Sequence, residues 1–395
     1  MISLRHSSFA LLTLALGCGS SDSTSATAPP AGAGGNGVGT GGASAGGASG
    51  AGAGGATSAG GNAAGGVSAG GTTSVGGASA GGTTSAGGTT SAGGTTSAGG
   101  AAAGGASAGG TSAAGGASGN HIQTVWLILM ENHNWKDIKG SASAPYINGT
   151  LLTAGAHAEA YKNPPAIHPS EPNYLWLEAG TNFGIANDKE PSVNHQATTM
   201  HLATLLKNAN VSWKAYQEDI PAGTCPLKGV ASYAPKHDPF VFFDDSTGNG
   251  DPKDPYCIAH NVPYSMLAGD LAAPARYNFV TPNLCNDMHD KCPPISDPIK
   301  QGDTWLAAEV PKIQASEAYK KGGAIFITWD ESEGGDFPIG MIVLSPFAKP
   351  GGYSNTIAYT HSSTLRTMET IFGVSPMLGD AANATDLGDL FAQFP

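Results

Sequence analysis

The stretch TVWLILMEN, Thr124 to Asn132, decides how the chain folds. Thr124–Met130 is an unbroken run of apolar and β-forming residues, and it stops abruptly at Glu131 and Asn132. A strand with one wet face would alternate apolar and polar residues. A continuous run indicates a strand buried on both faces, as in a parallel sheet. Three further stretches read the same way: GAIFITWDESEGGD, with Ala324–Trp329 as the strand, IGMIVLSPF and YNFVTPNLC. Helix-like segments fall between them at Tyr174–Glu178, His201–Asn208, Asp303–Tyr319 and Ser362–Phe372, with Asp303 as the expected cap of the third. This alternation predicts an α/β fold with a mostly parallel central sheet and helices on both faces. Open α/β sheets bind ligands beyond the carboxyl ends of their strands. Glu131–Asn132 and Asp330–Glu331 are therefore expected on one rim.

Outward from this core the composition changes. Most of the 59 glycines crowd into the first third of the 395 residues. Arg5 and His6 precede the short apolar run FALLTLALGC, too short to span a bilayer and expected to be a signal peptide over 1–18. LALGC resembles a bacterial lipobox with Cys18 as the lipidated residue. The expectation is an exported protein, an outer-membrane or cell-surface lipoprotein anchored through Cys18, or otherwise a secreted or periplasmic one. Residues 19–120 repeat TTSAGG at Thr83, Thr89 and Thr95 among looser variants, and are expected to be a disordered tether. Residues 121–395 are the expected catalytic domain. The net charge of −12, from 18 Lys+Arg against 30 Asp+Glu, argues against a nucleic-acid partner. Beyond Cys18 there are four cysteines, Cys225, Cys257, Cys285 and Cys292. In an oxidising compartment they allow three pairings. Cys285–Cys292 with Cys225–Cys257 is favoured, because the first closes a short loop.

Three features carry chemistry. Glu131, Asn132, Asp330 and Glu331 offer hard oxygen ligands, and clustered carboxylates repel one another without a cation. In IHPSEPNYLWLEAG, Pro172 suits the first turn of a helix, which sets Ser170 at or just before its cap. There Ser170 is either a capping residue or a hydroxyl held beside the positive end of a helix. Histidine is the residue type whose ordinary pKa suits proton transfer, and candidates stand at His168, His289 and His361.

VWLILMENHNW, HPSEPNYLWLEAG, NLCNDMHD, FITWDESEGG and YTHSSTLRTMETIFG together resemble the bacterial and fungal phosphoesterase family. That family holds acid phosphatases and phospholipase C-type enzymes within the alkaline phosphatase superfamily. The motifs run in the family's order from His121 onward. The resemblance implies an alkaline-phosphatase-like fold, a phosphate ester substrate and a divalent metal ion of open identity. It implies Glu131, Asn132, Asp330 and Glu331 as metal ligands and Ser170 as the nucleophile. Asn173 is implied as a donor to a phosphoryl oxygen. His168 and Asp287 are candidate substrate contacts, and His289 and His361 candidate acids for the leaving group. Glu331 stands where relatives carry histidine, which favours one metal at a mostly oxygen site. His133, His157, His237 and His260 are left as loop or surface residues, and PFVFF (Pro239–Phe243) as buried packing. The expected activity is phosphomonoester hydrolysis through a phosphoserine. A phospholipase C-type phosphodiesterase is the alternative within the class, and relatives of that type are longer past METIFGV. A non-catalytic surface binding module is the alternative outside it.

Overall fold

A computed structural model describes residues 121–395. The expected signal segment with Cys18 and the expected tether lie outside the described residues. The strands are β1 (Thr124–Met130), β2 (Ala156–Ala158), β3 (Tyr161–Lys162), β4 (Trp213–Gln217), β5 (Asn261–Pro263), β6 (Tyr277–Thr281), β7 (Gly323–Trp329), β8 (Met341–Leu344), β9 (Ser354–Asn355) and β10 (Tyr359–Thr360). Eight of them form one sheet in the order β5-β4-β6-β1-β7-β8-β2-β9, and β3 pairs with β10 apart from it. All pairings in the large sheet are parallel except those of β8 with β7 and with β2. Every residue of β1, β6, β7 and β8 is buried, so both faces of the sheet centre are covered. This is the expected α/β architecture, and it explains why these strands show no alternation.

Register places the site. Met130 pairs with Trp329 across the parallel β1–β7 ladder. The next residue on each strand, Glu131 and Asp330, therefore leaves the sheet side by side. The Asp330 amide donates to the Met130 carbonyl at 2.9 Å, and the Glu131 amide donates to the Asp287 carbonyl at 2.7 Å. Three chain segments distant in sequence are thus tied at one rim by backbone bonds alone.

The helices follow the expected positions with shifted ends. Ser170–Ala179 starts four residues earlier than its apolar run suggests, and Leu202–Asn208 has His201 as its N-cap. The segment expected as Asp303–Tyr319 is two helices. Pro298–Ala315 is capped by Asp297, and Glu317–Gly322 by Ser316. Asp303 is not a cap of its own helix. Its carboxylate accepts the Tyr146 and Ile147 amides, at 3.1 and 2.8 Å, and so caps the π-helical turn Ile147–Leu151. His361–Phe372 carries a capping box between Thr360 and Ser363. Cys225 pairs with Cys257 and Cys285 with Cys292, as favoured. Phe240, Phe242 and Phe243 are fully buried, so PFVFF is packing. Among the described residues no helix is long and apolar enough to cross a membrane.

Helix Ser170–Ala179 is held at both ends. Gly180 ends it with φ 66°, and a Cβ there would meet the Leu378 carbonyl at 2.5 Å, so only glycine fits against the C-terminal segment. Near this end lies Glu178, fully buried, which accepts the Ala203 amide at 3.3 Å. Burial pushes its carboxyl from 4.5 up to about 8. Between those values the folded chain keeps a proton that the unfolded chain has released. Stability therefore falls as pH rises through this window and levels off above it. Glu178→Gln is expected to flatten that decline in melting temperature measured from pH 5 to pH 9. An unchanged slope in the variant would show that the carboxyl is not protonated in the folded state.

Candidate active site

Helix periodicity arranges the first set of groups. Ser170, Asn173 and Tyr174 are spaced i, i+3, i+4 and share one helical face. Pro169 is the N-cap and makes no side-chain cap bond, and Ser170 is the first helical residue. The Ser170 hydroxyl is therefore not a cap. It is 1% exposed and donates to Glu131 Oε2 at 3.1 Å. The Asp330 carboxyl lies beside it, and the hydroxyl favours that group's ionised form. One turn on, the Tyr174 hydroxyl donates to Glu131 Oε1 at 2.5 Å. Few amides are left at the helix start, because Glu171 gives its own to Asp188 Oδ1 at 3.0 Å and Pro172 has none.

The acidic tips meet as the register dictates. The Asn132 amide donates to Asp330 Oδ1, and Asn132 Nδ2 to Glu331 Oε1, both at 3.0 Å. Asn132 adopts φ 22°, a left-handed-side value that suits a turn leaving a strand. Glu331 Oε2 also takes His168 Nδ1 at 2.5 Å and Asn173 Nδ2 at 3.3 Å. Both Glu331 oxygens are thus committed to neighbouring side chains. Asn173, the expected phosphoryl donor, lies on the same helical face as Ser170. Its amide nitrogen also faces the Ile167 and Pro169 carbonyls at 3.0 and 3.1 Å. No N–H is left over, and the residue braces the turn that presents Ser170.

His361, a candidate acid, is placed against the Asp330 turn. It is fully buried, with Nε2 on the Asp330 carbonyl at 2.5 Å and Nδ1 on the Tyr161 hydroxyl at 2.9 Å. Burial lowers its pKa to about 4, so the ring is neutral. Nε2–H then donates to Asp330, and Nδ1 accepts from Tyr161. With both nitrogens engaged, His361 fixes the Asp330 turn and has no proton free for a leaving group. His289 is the more accessible histidine, with its side chain 31% exposed. Its Nδ1 lies 2.7 Å from Asp290, and its backbone amide donates to Asp287 Oδ1 at 2.8 Å. His168 lines an opening of about 600 Å³ together with Asn132, Glu331 and the Gly334–Gly335 turn.

His237 is not a surface residue. It is 2% exposed, 3.2 Å from Glu131 Oε1 through Nε2 and 3.4 Å from Asp287 Oδ2 through Nδ1. It stacks on Tyr174 with ring centroids 5.1 Å apart and lies 5.8 Å from His289. A lone histidine before PFVFF gave no periodic signal. Tyr174 was not singled out either, although its place one helical turn beyond Ser170 was a signal that could have found it.

Electrostatics show what this cluster requires. Burial pushes Glu131 and Asp287 well above the carboxylate range, and the Asp330 charge adds to both. Burial, with Glu331 beside it, raises Asp330 to about 7, and burial, with Asp188 nearby, raises Glu331 to about 7. Burial, then Lys236 and His289, depress His237 well below the usual imidazole value. Lys236 pairs with Asp188 at 3.2 Å. Two like charges about 4 Å apart repel by about 4 kcal/mol at an effective dielectric near 20. Four carboxyls cannot all ionise here without a compensating charge.

The donor atoms fit a cation. Asn132 Oδ1, Asp330 Oδ2, Asp287 Oδ2 and His237 Nε2 are buried without a hydrogen-bond partner. The contacts of His237 with Glu131 and Asp287 are within ion-pair distance yet miss hydrogen-bond geometry. One ligand atom from each of Glu131, His237 and Asp287 lies within 4.8 Å of the other two. Buried polar atoms left without partners beside clustered carboxylates are what a metal site shows.

A buried serine set against carboxylates at the strand-end rim of an α/β sheet defines a hydrolase-type site. The model of the Phosphoesterase family matches residues 161–375. Phosphatidylinositol-3-phosphatase of Mycobacterium tuberculosis (strain ATCC 25618 / H37Rv) is 32% identical over 270 residues, 68% of this chain and 82% of that protein. The phosphate-repressible acid phosphatase of Penicillium chrysogenum is 30% identical over 223 residues, 54% of this chain and 51% of that protein. The chain thus spans about half the length of this fungal relative. A solved alkaline phosphatase superfamily protein from Vibrio parahaemolyticus covers 67% of this chain and 69% of its own, at 11% identity and TM-score 0.47, too distant to carry residue roles. The chain belongs to the phosphoesterase family and is a phosphoester hydrolase.

Proposed function

We propose that the protein is an exported, metal-dependent phosphatase that hydrolyses phosphomonoesters through a phosphoserine at Ser170. The observation that carries this reading is the buried Ser170 hydroxyl on Glu131 Oε2, beside Asp330, at the strand-end rim. Glu131, Asp330 and Asn132 Oδ1 would hold the cation, with His237 and Asp287 as further donors beside Glu131. A bound divalent ion supplies positive charge against the phosphoryl oxygens and the developing alkoxide. Of the expected ligands, Glu331 acts instead through Asn132, His168 and Asn173, which it holds in place.

Ser170 Oγ forms a bond to phosphorus as the ester P–O bond breaks. Its proton leaves along the existing hydrogen bond to Glu131 Oε2. His289 gives a proton to the departing alcohol oxygen. Water then attacks the phosphoserine and gives up a proton to His289, while Glu131 returns one to Ser170 Oγ. Tyr174 keeps Glu131 oriented through both steps. Lys236, whose pKa burial alone would lower, is raised by Glu131 and Asp188 and stays cationic beside the site. Phosphatase names on relatives from a bacterium and a fungus support a monoester over a diester. Two disulfides support export to an oxidising compartment. The lipid anchor at Cys18 remains part of the proposal.

The test is a panel of p-nitrophenyl phosphate, bis-p-nitrophenyl phosphate and phosphatidylcholine, with a divalent cation supplied. The monoester is expected to give a kcat/KM at least about 10-fold above the others, or about 1.4 kcal/mol of transition-state preference. Faster cleavage of phosphatidylcholine would establish the phospholipase C-type alternative.

A further inference from the structure

A second cavity, of about 830 Å³, shares no lining residue with the opening at His168 and Glu331. It lies over a small apolar cluster that is separate from the main core. Leu175 and Ala179 of the Ser170 helix join Val241, Phe242 and the Cys225–Cys257 disulfide there. The volume is in the range of sites for small organic ligands, roughly 300–1,000 Å³.

The walls indicate the kind of occupant. Pro191, Pro221, Pro226 and Pro252 all line the cavity, with Val241 and Cys225. Proline has no N–H and a fixed φ, so this part of the wall offers few donors and little conformational freedom. A flexible chain would lose rotamer freedom against it, whereas a rigid ring system would not. The rest of the wall is polar: eight polar or charged side chains line the cavity, among them Glu190, Lys228, Thr247 and Asn249, and His195 Nδ1 meets Asp244 Oδ1 at 2.9 Å. The two kinds of wall together suit a rigid ring packed on the prolines with polar substituents turned to the other side.

We propose that this cavity is a second ligand site, distinct from the phosphoryl site, for a flat aromatic molecule carrying polar substituents. N-phenyl-1-naphthylamine, an uncharged aromatic amine that fluoresces in apolar surroundings, is the probe. Added to the full chain, it is expected to saturate at one molecule per chain in the micromolar range. Ser192 and Thr224 are exposed lining residues outside the catalytic machinery. Ser192→Trp and Thr224→Trp, which fill the cavity, are each expected to weaken binding at least about 10-fold, equivalent to about 1.4 kcal/mol. Melting temperature and p-nitrophenyl phosphate hydrolysis should stay unchanged in both, which shows that the variants fold. Inorganic phosphate should not displace the probe. Absence of saturable fluorescence, or full binding in both folded variants, would overturn the proposal. Displacement by phosphate would also overturn it, by returning the probe to the phosphoryl site.

Discussion

Ser170→Ala is expected to lower kcat for p-nitrophenyl phosphate by at least about 10³-fold, a loss of roughly 4 kcal/mol of transition-state stabilisation. The two roles open to this serine predict opposite patterns. A capping serine replaced by alanine costs about 0.5–2 kcal/mol of stability and leaves chemistry alone. A nucleophile replaced by alanine removes the bond-forming atom and leaves the fold nearly intact. The structure already denies Ser170 the cap, because Pro169 holds that position and the hydroxyl points to Glu131. Glu131 keeps Tyr174 as a donor in the variant, so its second oxygen stays anchored. The loss of one buried hydrogen bond is expected to change melting temperature little. Steady-state kinetics alongside thermal melting separate the two outcomes. A variant that melts earlier yet turns over at the wild-type rate would remove Ser170 from the reaction.

What could be read in the sequence, and what could not, follows from range. The strand TVWLILM was legible because burial on both faces erases alternation, and its abrupt end at Glu131 marked the rim. Asp330 was legible for the same reason on β7. Parallel pairing then converts two one-dimensional signals into a contact, since Met130 and Trp329 are in register. His237 carried no such mark. It lies in a short 3-10 turn, Pro235–His237, which has no hydrophobic period, and its partners are 106 and 50 residues away in sequence as Glu131 and Asp287. Asn173 and His361 had the right residue types for phosphate chemistry. Their donors are nonetheless committed to carbonyls, of Ile167 and Pro169 for one and of Asp330 for the other. Residue type and motif cannot distinguish a free donor from a committed one. Only the hydrogen-bond partners can. Asp303 shows the same limit in the scaffold, where a residue well placed to start a helix instead ends the loop of another.

Chelation is the second large effect. Dialysis against a chelator is expected to lower phosphatase activity at least about 10²-fold, and replacement with a suitable divalent ion to restore it. The basis is the shared geometry of Glu131, His237 and Asp287, together with the open Asp330 and Asn132 oxygens. A loaded cation also binds the folded chain and not the unfolded one. At about 1,000 times its dissociation constant it adds about 4 kcal/mol of stability. For a domain of this size that corresponds to a melting shift on the order of 10 °C. Glu131→Gln should lose both effects together, because its two oxygens serve Ser170 and Tyr174 and it is also one of the cluster's donors. The donor set mixes hard carboxylate oxygens with one buried imidazole. A panel of magnesium, manganese and zinc, read by both activity and melting, therefore tests whether His237 takes part. Preference for magnesium would leave the imidazole outside the coordination shell, and preference for manganese or zinc would bring it in. If the chelated protein keeps full activity and melts at the same temperature, the buried carboxylates are neutralised by protons, and a cation has no place in the reaction.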